Sequence, residues 1–306
     1  MANYVAIAIA GATNDRRRGP NKKRQPYTTE EDIQTAVRLT EAEVQILATE
    51  YTQWRAATEG INPSFDVSHR SVFEFLSYLA RGGYFHQLAL GCGIAKSTVI
   101  HHVKQVADFF ASTANNHIQL PELRELPALS SPLRGNNVLL YIDGFIVKIQ
   151  RPDHAGDAFF CGRHGKSCDS INVQYVTDKH GKIRHIVTGV SGATHDKTAA
   201  AWSVEFMTLN NLPAGYIVLG DPAYRGLHPN ILTPYTGPNL APHQTAFNNE
   251  CTRLRQIVER AIGASQLKWR VQQLKENRIA GKTGVGFAAK CTLAAAVLHN
   301  RFTNFL

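Results

Sequence analysis

Cysteine is scarce and carries no pattern: the 306-residue chain has five, at 92, 161, 168, 251 and 291, with no C-x-x-C pair. That excludes a disulfide framework and points to reduced thiols inside a cell. Long apolar runs are missing as well. The opening MANYVAIAIAGAT falls short of the roughly 20 apolar residues a membrane span needs and has no basic segment before it, so neither signal peptide nor anchor is expected. There is no G-x-S-x-G elbow and no G-x-x-x-x-G-K-[ST] loop, which removes nucleophile-elbow hydrolases and P-loop enzymes. Internal repeats and low-complexity tracts are absent. Acid is in deficit, with 24 Asp and Glu against 33 Lys and Arg, a formal net charge of +9. A surface of that sign gains affinity for a polyanion by releasing counterions from phosphate.

What is present suffices for a sizeable core, since 43% of residues are hydrophobic, and the length suits two domains. Residues 1–27 read as a flexible basic arm, because DRRRGPNKKR at 15–24 holds six basic residues against one acid and is broken by Gly and Pro. Nonspecific DNA contact and nuclear import would both use such an arm; a merely solvated tail is the plain alternative. Residues 28–119 show apolar residues at three- and four-residue steps, as in EVQILATEYTQW and SVFEFLSYLARGG, and predict an all-α segment. Proline and serine cluster at 120–135 and mark a linker. From 136 to 306 the pattern turns to strands (VLLYIDGFIVKI, SINVQYVT, IRHIVTGVS), with DKHG as a hairpin turn. A helix-like HDKTAAAWSVEFM, a short strand YIVLGD, an amphipathic helix near 250–270 and a final apolar helix follow.

Within 84–110 two helical stretches flank GCG and fit a helix-turn-helix. Leu88, Cys92, Ile94 and Val99 take the apolar places, Ala89 the crossing and Gly93 the turn; His102 stands where an apolar residue is usual. Val99, Val103, Val106 and Phe110 share a face, so Lys96, Ser97, Thr98 and His101 project from the start of the second helix as DNA contacts. An ordinary helical hairpin with solvated polar residues is the competing reading.

Four acids stand out. Asp143 ends the apolar YID and Asp221 ends VLGD, and a lone carboxylate at a buried strand end is expensive unless paired or bound to a cation. Two such strands, parallel and adjacent, would bring both to one site suited to Mg²⁺ or Mn²⁺. Glu259 borders the stripe of Leu254, Ile257, Val258, Ala261 and Ile262, beside Arg255 and Arg260. Asp196 opens a helix after GATH, where N-terminal capping is its plain explanation and metal ligation the sharper one. Such a cluster supports two-metal phosphodiester cleavage, which needs carboxylates more than a protein nucleophile.

The runs YIDG, GRHGKSCDSINVQYVTDKHGKIRHIVTGVSGATHD, LGDPAYRGLHPNILTPY, FNNECTRLRQIVERAIG and VLHNRF resemble the PIF/Harbinger transposases, a DDE superfamily endonuclease group, over nearly all of 75–306. The resemblance implies an α/β, ribonuclease-H-like catalytic core, a mixed five-stranded sheet with flanking helices, behind the helical segment. It implies Asp143, Asp221 and Glu259 as the catalytic triad, Asp196 as a further metal ligand, and a divalent cation. It also implies DNA as substrate at transposon ends and target site, a separate Myb-like DNA-binding partner, a homo-oligomer because two ends are joined, and a nuclear location. The chain departs from that family in reading DGFIV where a Thr-His pair usually follows the glycine. Three rival readings are a zinc site from Cys161, His164 and Cys168, a domesticated DNA-binding protein whose chemistry has lapsed, and a metal phosphohydrolase acting on small substrates.

Overall fold

A computed structural model describes residues 29–152, 156–162, 167–203, 212–273 and 284–303; the basic arm at 15–24 lies outside these. Five helices come first. α1 (Glu30–Val37) and α2 (Glu41–Glu59) start on Thr29 and Thr40, whose hydroxyls accept from the Asp32 and Glu43 N–H groups. Glu43 reciprocates by accepting from the Thr40 N–H at 2.7 Å. α3 (Phe65–Arg81) is buried at every residue from Ser71 to Ala80. α4 (Phe85–Cys92) stops at Gly93, whose φ of +69° is a left-handed conformation that glycine adopts without penalty.

α5 (Lys96–Thr113) buries Val99, Val103, Val106 and Phe110, as its periodicity requires, and leaves Lys96, Ser97, Thr98 and His101 exposed. His102 is explained by its neighbour: Nδ1 lies 2.9 Å from the carboxylate of Glu74 on α3, which is fully buried and needs a partner there. The stretch 120–135, expected as a linker, holds a 3₁₀ turn (Leu123–Glu125), α6 (Leu126–Leu129) and strand β1 (Ser131–Leu133).

The remaining strands are β2 (Asn136–Lys148), β3 (Phe160–Cys161), β4 (Cys168–Thr177), β5 (Ile183–Ser191), β6 (Tyr216–Leu219) and β7 (Ile231–Leu232). Among the described residues the sheet is mixed and has seven strands where five were expected. The path β5–β4–β2–β6–β7 accounts for five, with β1 and β3 as short additions on β2 and β4. β4 runs antiparallel to β2 and β5, and β6 runs parallel to both β2 and β7. The DKHG segment turns β4 into β5, with Asp178 accepting from the His180 and Lys182 N–H groups.

Both faces of the sheet are covered, because successive strand residues point opposite ways. Tyr141, Val147, Ile171, Val173 and Tyr175 join a core with α8 (Pro242–Lys268) and α9 (Gly284–Phe302). Ile142, Val176 and Val218 join a second core with Leu126, Leu129, Tyr224 and Ala200 of α7 (Asp196–Ala201). The first core also runs back to Ala36 and takes in α2, α3 and α5, so the helical segment and the sheet share one apolar interior. No helix among the described residues is long and apolar enough to cross a membrane.

A shared interior predicts one cooperative transition. Urea unfolding should be coincident for Trp54 on the helical side and Trp269 under the sheet, and Phe110→Ala should lower stability by about 3–5 kcal/mol for both reporters. Two separated transitions would contradict the continuous core.

Candidate active site

The β2–β6 ladder sets the geometry. Its parallel register closes at Tyr141↔Leu219, and Asp143 and Asp221 each stand two residues beyond that pair. Asp143 does not end its strand, however: β2 continues to Lys148 because β4 goes on pairing with it, and only the β6 partner stops. On the side that β6 leaves, the chain opens.

Each acid is held differently. Asp143 accepts from the Gly144 N–H through Oδ1 at 2.8 Å, while Arg255 Nη2 reaches Oδ2 at 2.9 Å. Asp221 caps the 3₁₀ turn Pro222–Tyr224 by accepting from the Ala223 N–H at 2.9 Å. Glu259 lies one turn after Arg255 on α8, with Oε1 3.5 Å from the same Nη2 and its side chain about half exposed (48%). Val258, Ala261 and Ile262 bury the adjacent stripe and hold that helix against the sheet.

Asp196 is not the cap of α7. That place belongs to His195, whose ring accepts from the Lys197 N–H; Asp196 is the first helical residue and its Oδ1 accepts from Asn172 Nδ2 at 2.7 Å. Gln174 Nε2 donates to the Asp196 carbonyl at 2.8 Å. Gly144 makes room for this approach, since a Cβ there would sit 3.0 Å from Asp196 Oδ1 and 3.4 Å from the Tyr224 hydroxyl. Asp143 faces α8 and Gly144 faces α7, so Asp196 comes to the site from the opposite side of the sheet.

Residues 142–300 match the family described as DDE superfamily endonuclease, a span that contains all four acids. The chain belongs to this family. Comparison with curated proteins and with solved structures gives no match.

The charges of this DDE endonuclease oppose one another. Burial pushes the Asp143 carboxyl up to about 6; Arg255 and the Gly144 N–H pull it down, and the charges of Asp221 and Glu259 push it up again. Asp221 is also raised, by burial and by the charge of Asp196, against the Ala223 N–H and Arg255. Tyr224 is raised by burial and by Asp196, Asp143 and Asp221, which places its hydroxyl among them. Among the described residues, no group of three or more His, Cys, Asp or Glu converges closely enough to hold a metal ion. Of the rival zinc set, Cys161 and Cys168 face each other across β3 and β4, and His164 lies outside the described residues.

Sequence reasoning noted Arg255 only as a neighbour of Glu259 and missed Asn172, Gln174 and Tyr224. A signal for two of them existed, because Asn172 and Gln174 alternate with apolar residues in a strand that is buried on both faces.

Asp143 binds its proton more tightly folded than unfolded. That contribution to stability is complete below about pH 4 and is lost as pH rises through about 6. Asp143→Asn, which keeps the acceptor, should therefore stabilise the metal-free protein at pH 7.5 by up to about 3 kcal/mol, with no gain at pH 4. Thermal unfolding at the two pH values checks this, and an unchanged or lower Tm at pH 7.5 would contradict it.

Proposed function

We propose that this DDE endonuclease is a PIF/Harbinger-type transposase that cuts and joins DNA at transposon ends, with Asp143, Asp221 and Glu259 as its catalytic acids. The observation that carries the reading is the placement of Asp143 and Asp221 side by side, two residues past the last pair of two parallel strands. The strand path β5–β4–β2–β6–β7 supports a ribonuclease-H-like core, with an antiparallel hairpin on one side of β2 and two parallel strands on the other.

DDE superfamily nucleases typically use divalent metals, and the residues present fit Mg²⁺ or Mn²⁺ chemically. They offer oxygen donors only, and their partly buried like charges repel without a cation. Beside them, Asn172 Oδ1, Gln174 Oε1 and the Tyr224 hydroxyl are buried with no partner among the described residues. Asp143, Asp221 and Glu259 would hold the ion, with Asp196 as a further ligand; when bound it supplies charge stabilisation to the oxygens of the phosphodiester. The chain itself orients: Asn172 and Gln174 fix Asp196, and the Ala223 N–H fixes Asp221.

The exposed Lys96, Ser97, Thr98 and His101 at the start of α5 support a groove contact by a helix-turn-helix. The basic sequence at 15–24 suits both nonspecific DNA contact and a nuclear location. Joining two ends calls for a homo-oligomer and target DNA, and recognition of those ends for a separate Myb-like protein.

Purified protein should nick or linearise plasmid DNA in Mg²⁺ or Mn²⁺, and Asp221→Ala should lower the rate by at least about two orders of magnitude. Equal silence of both proteins with DNA binding retained would favour a domesticated, catalytically lapsed DNA-binding protein; hydrolysis of small phosphoesters alone would sink both readings. Lys96→Ala should weaken binding across all duplex sequences and reduce the slope of log affinity against log salt by about 1. An unchanged slope in filter binding would remove Lys96 from the contact set.

A further inference from the structure

We propose that Arg255 is a built-in stand-in cation: its guanidinium occupies the carboxylate site of the metal-free protein and must leave those oxygens when a divalent ion binds. The inference rests on the reading of Asp143, Asp221 and Glu259 as metal-holding acids.

Two observations carry it. Arg255 Nη2 is bonded to Asp143 Oδ2 at 2.9 Å and lies 3.5 Å from Glu259 Oε1, so one group touches two of the three acids from opposite ends of the sequence pattern. The side chain is only 14% exposed, which makes it part of the site rather than a solvated neighbour.

The physical logic is substitution. Carboxylates gathered around one partly buried site repel, and a positive charge among them offsets that repulsion before any metal arrives. A guanidinium meets that need without being a permanent fixture: Arg255 Nε is buried and donates to nothing among the described residues, so the arginine is held less than fully. It sits on a flexible stem on α8, whose Val258 and Ile262 anchor the helix in the core, so side-chain rotation alone releases it. A cation and Arg255 compete for the same oxygens and repel one another, so removing the arginine favours the ion. The opposite holds for a purely structural arginine, whose removal would disorder the acids and weaken the ion.

The test is Mn²⁺ titration by calorimetry, with thermal unfolding in the presence and absence of Mn²⁺, for wild type, Arg255→Ala and Arg255→Gln. Arg255→Gln preserves length and hydrogen bonding without charge and serves if the alanine variant fails to fold. Both variants should bind Mn²⁺ tighter than wild type, by about tenfold or more. In metal-free buffer they should unfold at lower temperature, and Mn²⁺ should raise their Tm by more than it raises that of wild type. Folded variants that bind Mn²⁺ equally or more weakly than a wild type that does bind it would overturn the stand-in role and leave the metal reading intact. Absence of Mn²⁺ binding in all three proteins would overturn both.

Discussion

Two strands that run the same way set the candidate site of this molecule. The β2–β6 register brings Tyr141 beside Leu219, and the candidate acids gather just beyond that pair: Asp143 and Asp221 directly, Glu259 with Arg255 across from α8, Asp196 from beneath. Parallel pairing fixes which residues are level with one another, and a slip of one residue would turn either acid to the wrong face. The hydrophobic runs that precede the acids, Val138 to Ile142 and Val218 to Leu219, are what pin that register, because each must be buried in a definite layer. Packing and chemistry are thus specified by the same few residues.

The cost of this arrangement is like charge in a poorly hydrated place. Burial alone raises Asp143 and Asp221, and the neighbouring carboxylates add to it. The fold offsets the repulsion with directed N–H groups at Gly144 and Ala223 and with the guanidinium of Arg255. Asp196 is stabilised differently, by the amides of Asn172 and Gln174 on β4. Stability and function pull against each other here, as perturbed acids at functional sites commonly do.

Much of this was legible from the chain alone. β-branched, apolar runs marked the longer strands of the sheet, and Asp143 and Asp221 were singled out because a carboxylate after a buried run asks for a partner. The helical faces of α5 and α8 followed from three- and four-residue spacing. What escaped was long-range. Nothing local says that Arg255 bonds a residue 112 positions earlier, or that Glu74 lies under His102 and makes a polar residue acceptable there. Asp196 read as a cap because capping is a local rule; its true partner, Asn172, arrives only when β4 and α7 pack. The stretch 120–135 read as a linker from proline and serine, yet Leu126, Leu129 and Leu133 are buried and draw it into the fold. Strands of two residues, such as β3 and β7, are too short to leave any periodic trace.

The core that runs without a break from α1 to α9 has a mechanical meaning. The start of α5 and the point where β6 leaves β2 are fixed relative to one another like two marks on a ruler. If one duplex makes the proposed contacts at both marks, any mismatch of shape falls on the DNA, at a bending cost of order 1–6 kcal/mol that depends on its own stiffness. Flexible base steps between the two marks would then be selected by the protein without being touched by it.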